Sequence, residues 1–367
     1  MHCAASGVST RRVMRSRVLP TMDEIRAVSW DAAAQAIVLV DQTRLPAETV
    51  WLPCRNVDEV VDAIVRLVVR GAPALGAVGA YGVAVAMLQG DREHWDAERL
   101  AREVDRVRDA RPTAVNLAWG VDRVRGAMAE GVAAVLAGAD ALVTADTAAN
   151  RELSRLGADW ILERVATRPV RIITHCNTGA LATTGWGTAF GIIRELHDRA
   201  LLGRVFADET RPLLQGARLT AWELERLGVD YCVQADGAAA STILRGLVDV
   251  AIIGADRIAR NGDTANKIGS VGLALACQAA GIPFVVAAPS STVDLSTPTG
   301  DDIEIELRAA QEVTEFAGLR TTPLGSPGFN PAFDVTPARY ISAIVTEQAV
   351  VEPDGRQDVA TLIGFAS

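Results

Sequence analysis

The chain has 367 residues, 49% hydrophobic and 22% charged, with a formal net charge of −9. A length of this order calls for two domains, and the composition is that of a soluble, well-buried globular protein rather than a disordered one. The acidic balance argues against a nucleic-acid binder that works through a basic field. Five scattered cysteines (Cys3, Cys54, Cys176, Cys232, Cys277), odd in number and without a C-x-x-C pair, point to a reducing compartment with neither a disulfide nor a zinc framework. Among the Lys and Arg residues there is one lysine, Lys267. Where arginine has replaced lysine almost everywhere, a surviving lysine reads either as a place that needs a primary amine or as a chance survivor, and its neighbours must decide.

The N-terminal stretch, residues 1–21, carries Arg11, Arg12, Arg15 and Arg17 but no acidic residue. It reads as an extension of transit-peptide composition or as a misassigned start preceding Met22, and no apolar run comes after the arginines to make a signal peptide. Ala36–Val40 and Val50–Leu52 have strand character and flank a turn at Pro46. Val57–Val69 has helical spacing and ends at Arg70-Gly71-Ala72-Pro73. There the proline is expected to break the helix and leave the Gly71 and Ala72 amides beside a guanidinium, which reads equally as a corner suited to an anion or as a plain helix stop. Gly76, Gly79 and Gly82 recur at period three without a preceding strand, which indicates close helix packing rather than a dinucleotide fingerprint. The apolar runs over residues 71–90 and 268–293 read as buried core interrupted by Pro73, Pro283 and Pro289, not as membrane spans.

Asp91–Arg111 reads as a charged surface helix. Arg111-Pro112 offers a second anion corner, and Ala145–Arg164 reads as one long helix. A mainly helical first domain is expected to end near residue 142. Beyond it the character changes, with β-type runs at Val170–Thr174, Val205–Ala207, Tyr231–Val233, Val248–Ile253 and Phe284–Ala287 alternating with helical segments. This is the pattern of βαβ units and a parallel sheet.

The carboxyl ends of those strands carry the chemistry, because ligands of open α/β sheets sit beyond them. The ends hold His175-Cys176-Asn177, Asp208-Glu209, Asp236, Gly254-Ala255-Asp256 and Pro289-Ser290. Cys176 reads either as a reactive thiol or as a small buried hydrophobe. Asp208 and Asp236 are divided evenly between helix capping and function. Ten residues after Asp256 come Asn266-Lys267, expected at the start of the next helix, where an amide and an amine converge on a small anion. Gln215 begins the helix after the Asp208 strand and is expected to point into the same crevice.

The segments RGAPALG, RPTAVNLAW, THCNTGALATTGWGTAFG, DETRPLLQGARLTAWEL, GADRIARNGDTANKIGS, FVVAAPSSTVD and NPAFDVTP, in this order, resemble the motif set of the methylthioribose-1-phosphate isomerase family. That family shares a superfamily with ribose-1,5-bisphosphate isomerase and with the α, β and δ regulatory subunits of the eukaryotic initiation-factor exchange complex. The resemblance runs from Met22 to Glu347. It implies an α/β protein with a mainly helical N-terminal domain (residues 22–142) and a Rossmann-like parallel-sheet domain (143–367), paired as a cytoplasmic homodimer. It implies an aldose–ketose isomerase of methionine salvage with a phosphosugar substrate, and no cofactor, metal, nucleic acid or membrane. Carried over by position, it places catalytic groups at Cys176 and Asp256, and substrate contacts at Arg70, Gly71, Ala72, Arg111, Gln215, Asn266 and Lys267. Thr178, Glu304–Arg308 and Ala349 depart from the pattern. An apolar pocket for the methylthio group is expected around Trp119 and Trp186. A dehydrogenase is disfavoured because no strand–G-x-G-x-x-G–helix unit is present.

Overall fold

A computed structural model describes residues 25–112, 114–353, 359 and 364; the stretch 1–21 lies outside the described residues. The first half opens with a three-stranded antiparallel sheet, β1 (Val28–Asp31), β2 (Ala36–Val40) and β3 (Trp51–Cys54). Helices α1 (Val57–Val65), α2 (Ala72–Glu93), α3 (Ala97–Arg108), α4 (Val115–Arg125) and α5 (Val132–Arg164) come next. The α1 helix starts where Asn56 Oδ1 accepts the Glu59 N–H, and it stops short of the expected end because Leu67 turns left-handed at φ +60°.

Pro73 does not break a helix as expected; it opens one. It lies in the first turn of α2, where its missing N–H leaves no donor unpaired, and Gly71 is the residue before the helix. The glycines of α2 allow the close approach expected of them. A Cβ on Gly79 would lie 2.4 Å from the Leu117 carbonyl oxygen, and one on Gly120 of α4 would lie 2.0 Å from that of Gly76. The expected surface helix is divided, since α2 runs on to Glu93 and α3 begins after its cap Asp96, burying Val104 and Val107. The helix read as Ala145–Arg164 is longer, running unbroken from Val132 through residues 142 and 143 because its alanine-rich sequence holds no proline and only two isolated glycines, Gly138 and Gly157.

The second half holds β4 (Val170–Thr174), α6 (Ala189–Asp198), β5 (Leu202–Asp208), α7 (Ala221–Leu227), β6 (Tyr231–Gln234), α8 (Ala239–Leu244) and β7 (Val250–Ile253). It continues with β8 (Arg257–Ala259), β9 (Thr264–Lys267), α9 (Ser270–Ala280), β10 (Phe284–Ala287), β11 (Val293–Asp294) and α10 (Gln311–Thr314). The last strands are β12 (Glu315–Phe316), β13 (Leu319–Arg320), β14 (Phe333–Thr336), β15 (Ala343–Val345) and β16 (Val350–Val351).

Seven of these strands form one sheet in the order β16-β15-β10-β7-β4-β5-β6, parallel except at β16. Alternate side chains enter two cores. Ile172, Ile252 and Val285 pack with Leu153 and Ile161 of α5 and Phe190 of α6, whereas Ile173, Ile253 and Val286 pack with Leu273 and Cys277 of α9. Burial on both faces explains why these strands are apolar throughout rather than alternating. The chain runs outward from β4 through β5 to β6, then returns to lay β7 on the other side of β4. Between β4 and β7 the direction of winding reverses, and the sheet leaves a crevice beyond their carboxyl ends. A smaller sheet, β11-β8-β9-β14, stands beside that crevice.

Candidate active site

Cys176 and Asp256 lie just past the two strands at this reversal. A pocket of about 90 Å3, open to solvent, lies between them. Its walls include the nine positions to which the family resemblance carries catalytic and substrate contacts: Arg70, Gly71, Ala72, Arg111, Cys176, Gln215, Asp256, Asn266 and Lys267. They come from the start of α2, the segment before α4, three strand ends of the large sheet and β9.

Cys176 is only 7% exposed and is held in a left-handed conformation, φ +65°, which is unfavourable for a residue with a side chain. Its N–H donates to Thr210 Oγ1 at 2.8 Å, and its carbonyl accepts from Thr220 Oγ1 at 2.5 Å. Both backbone groups are therefore tied, and the thiol is presented at a fixed point of the turn. Asn177 donates to Glu223 Oε1 at 2.7 Å, while the Glu223 Oε2 accepts the Ala180 N–H at 2.7 Å. Burial raises the Glu223 pKa, against the opposing hydrogen bonds of Asn177 and the loop amides. Arg70 donates to the Asn177 carbonyl at 3.0 Å and also to its side-chain oxygen.

The corner at Arg70-Gly71-Ala72 lies in the pocket wall. Gly71 adopts φ +95°, and a Cβ there would lie 2.3 Å from the Ala182 carbonyl oxygen, so only glycine lets the start of α2 approach the loop after Cys176. Arg70 Nε and Gln215 Oε1 are buried without a hydrogen-bond partner among the described residues, and both side chains line the pocket. Such atoms are suited to a bound ligand's oxygens and hydroxyls.

Asn266 and Lys267 do not begin a helix as expected; they end β9, which pairs with β14, and α9 starts only at Ser270. The Asn266 side chain donates to Ser270 Oγ at 2.9 Å. The Lys267 ammonium donates to the Ala332 carbonyl at 2.8 Å and lies 4.4 Å from the centre of the Phe333 ring. Burial lowers its pKa, opposed by the charges of Cys176 and Asp256. The Asp256 side chain is exposed at the pocket surface, with protein crowded around it. That crowding raises its pKa, opposed by Lys267, Arg111 and Arg70. Arg111 pairs with Glu306 at 3.3 Å.

Other residues of the wall were not singled out from the sequence. Arg308 and Phe333 line the pocket; Phe333 lies inside the NPAFDVTP motif, and Arg308 closes the divergent stretch Glu304–Arg308. Thr178 is also in the wall, its methyl packed where a Cβ on Gly254 would be 2.6 Å away.

Asp208 and Asp236 cap no helix of their own. Asp208 accepts from His175 and from Gln234, and Asp236 accepts the backbone N–H groups of Thr210 and Arg211. Both fasten the turns around the site. Trp119 and Trp186 do not line this pocket. Trp186 is buried between the guanidinium groups of Arg151 and Arg194, and Trp119, 44% exposed, borders a separate cavity between α4 and α5. Tryptophan's apolar surface alone did not distinguish these packing roles from a ligand wall.

Residues 68–353 match the Initiation factor 2 subunit family. A probable bifunctional methylthioribose-1-phosphate isomerase/methylthioribulose-1-phosphate dehydratase of Nocardia farcinica is 49% identical over 89% of this chain, which spans 59% of that longer protein. A methylthioribose-1-phosphate isomerase of Alkalilimnicola ehrlichii is 47% identical, with 94% of this chain and 99% of the relative aligned. Among solved structures, the 5-methylthioribose 1-phosphate isomerase of Pyrococcus horikoshii OT3 superposes with a TM-score of 0.83 at 35% identity, covering 96% of this chain and 100% of that one. The translation initiation factor eIF-2B delta subunit of A. fulgidus superposes with a TM-score of 0.81 at 38% identity, covering 93% and 100%.

Proposed function

The chain belongs to the Initiation factor 2 subunit family, and from that premise we propose that it is an aldose–ketose isomerase converting 5-methylthioribose 1-phosphate to 5-methylthioribulose 1-phosphate, a step of methionine salvage. The observation that carries this reading is the meeting of Cys176, Asp256 and Lys267 in one pocket with the Arg70-Gly71-Ala72 corner. A regulatory subunit has no need of a thiol, a carboxyl of raised pKa and a desolvated amine arranged around a single cavity.

The substrate sets the chemical problem. An ordinary aldose opens its ring through the free anomeric hydroxyl, but here that oxygen carries phosphate. Asp256, kept protonated by its surroundings, gives its proton to the ring oxygen as the bond from that oxygen to C1 breaks. Cys176 acts next at C2. In one route the thiolate removes the C2 proton, leaving an enol that is then protonated at C1 while the C2 hydroxyl returns a proton to Asp256. In the other, hydrogen moves from C2 to C1 with its electron pair as the C2 hydroxyl loses its proton. Both routes give the ketose phosphate and use no external oxidant. Arg70, the Gly71 and Ala72 amides, Arg111 and Lys267 hold the phosphate, and Gln215 and Asn266 receive sugar hydroxyls. The reading includes neither metal nor organic cofactor.

We read the chain as a mainly helical N-terminal domain followed by a Rossmann-like domain, and as a cytoplasmic homodimer. Support for pairing comes from α5, whose apolar stretch is only 17% buried within one chain and which exposes Ala137, Ala141, Ala145 and Ala148 along one face. A second copy of the chain is the proposed cover. Support for a reducing compartment comes from Cys54, Cys176, Cys232 and Cys277, none of which forms a disulfide among the described residues.

The test is turnover of 5-methylthioribose 1-phosphate beside ribose 1,5-bisphosphate, with Cys176→Ser and Asp256→Asn as controls. Ketose from the methylthio sugar alone, abolished in both variants, supports the proposal. Turnover of the bisphosphate instead moves the chain to the sister activity. A folded protein that binds a phosphosugar and turns over neither overturns the enzyme reading.

A further inference from the structure

Directly behind Cys176 lies a titratable group that the isomerase chemistry does not use. His175 is 1% exposed and its ring touches two different parts of the chain. Nδ1 faces Asp208 Oδ2 at 3.0 Å, at the end of β5, and Nε2 faces the Ile268 carbonyl oxygen at 2.9 Å, one residue beyond Lys267. Both partners are acceptors. A neutral imidazole donates from one nitrogen only and would set a lone pair against either the carboxylate or the carbonyl; the doubly protonated ring satisfies both.

The surroundings favour that form. Burial opposes the charge, but Asp208 and Asp236 outweigh it and raise the His175 pKa. Asp334 of β14 faces the ring as a third carboxylate and itself accepts the Gly269 and Val271 N–H groups. Burial lifts the Asp208 carboxyl as well. The shared proton is assigned to the imidazole because Gln234 donates to the Asp208 carboxyl and Asp334 faces the ring, and both favour the ion pair over a neutral carboxyl donating to Nδ1. Gly269, at φ +112°, lets the backbone pass close to the ring, since a Cβ there would lie 2.8 Å from its Cε1.

Resting on the isomerase reading, we propose that His175 is a positioning residue whose doubly protonated ring ties the Cys176 turn to the Lys267–Ile268 segment, fixing the spacing of thiol and ammonium across the pocket. The ring touches neither substrate nor reacting atoms. It acts through the backbone of Cys176 on one side and of Lys267 on the other. The tie is intact at acidic and neutral pH and is lost as pH rises through the elevated His175 pKa, when one of its two hydrogen bonds must be given up.

Two variants and one spectrum test this. His175→Gln should lower kcat roughly 10- to 100-fold with little change in KM, the signature of misplaced groups rather than lost affinity. Asp208→Asn should behave differently. Its amide oxygen keeps the bond from Gln234 and its NH2 donates to Nδ1, so a neutral ring still reaches Ile268. This variant should keep most of kcat at neutral pH and lose the part of the alkaline decline that belongs to His175. In 15N-histidine NMR of the wild type, one ring should remain protonated at both nitrogens at pH 7.5, and that signal should vanish in His175→Gln. A singly protonated His175 at that pH, or a folded His175→Gln enzyme with wild-type kcat, overturns the proposal. If His175→Gln does not fold, the spectrum and Asp208→Asn decide. If the wild type turns over no sugar, the isomerase reading fails by itself. The tie is then judged from the spectrum and from the iodoacetamide alkylation rate of Cys176, read by mass spectrometry, which His175→Gln should change severalfold and which an irrelevant ring would leave unaltered.

Discussion

The Arg70 guanidinium donates to both the carbonyl and the side-chain oxygen of Asn177, 107 residues further along the chain. The proposed phosphate corner is thereby fastened to the residue next to the proposed catalytic thiol, and Glu223 holds Asn177 from behind. Glu223→Ala would leave the Asn177 NH2 and the Ala180 N–H short of an acceptor. A loss of about 1–3 kcal/mol per unsatisfied donor is expected in denaturant unfolding, together with a raised KM for the phosphosugar as Arg70 loses its support.

Asp256→Asn should separate stability from activity. A carboxyl whose folded pKa is raised contributes stability that is complete below its unfolded pKa and is lost as pH rises through the folded value. The asparagine variant escapes that loss. Its melting temperature should equal or exceed that of the wild type at pH 7.5, with the difference shrinking as pH falls below the Asp256 pKa, while turnover drops roughly 10²- to 10⁴-fold. In the wild type, kcat/KM should fall as pH rises through the same value, because the acid must carry its proton. A variant less stable than the wild type at neutral pH would contradict the direction of this shift.

Lys267→Arg should be a severe change despite keeping the charge. The ammonium fits between the Ala332 carbonyl and the Phe333 ring as a compact donor, and a planar guanidinium needs more width and more acceptors. A loss of kcat/KM of about 10²-fold is expected in steady-state kinetics, with the fold retained by circular dichroism.

Gly120→Ala tests the packing under the anion corner. The added methyl would meet the Gly76 carbonyl oxygen at 2.0 Å, so α4 must move from α2. Thermal unfolding should show a loss of about 1–3 kcal/mol or more, and Gly126→Ala, with nothing within 4 Å of the new Cβ, is the matched control.

Local pattern was enough to find β4 and β10 to the residue, because each is a short apolar run, rich in β-branched residues, buried on both faces and bounded by polar residues or prolines. It failed at Asn266-Lys267. A segment as polar as TANK becomes a strand through its pairing with β14, whose residues lie some way down the chain, and no nearby residue announces that partner. The chemical groups were legible where they were rare or oddly placed, such as one lysine, or a cysteine and an aspartate at strand ends. Arg308 was hidden among abundant arginines. The work of His175 was also invisible, since it depends on a carbonyl at residue 268 and a carboxylate at residue 208 reaching one ring.

Lys267 carries the only side-chain amine in the chain, and burial lowers its pKa. An acylating reagent applied near neutral pH, followed by hydroxylamine to clear thioesters, therefore leaves one side-chain amide, located inside the pocket. The degree of labelling becomes a direct gauge of whether the pocket is filled, without any engineered tag, and a phosphosugar that occupies the site should protect it completely.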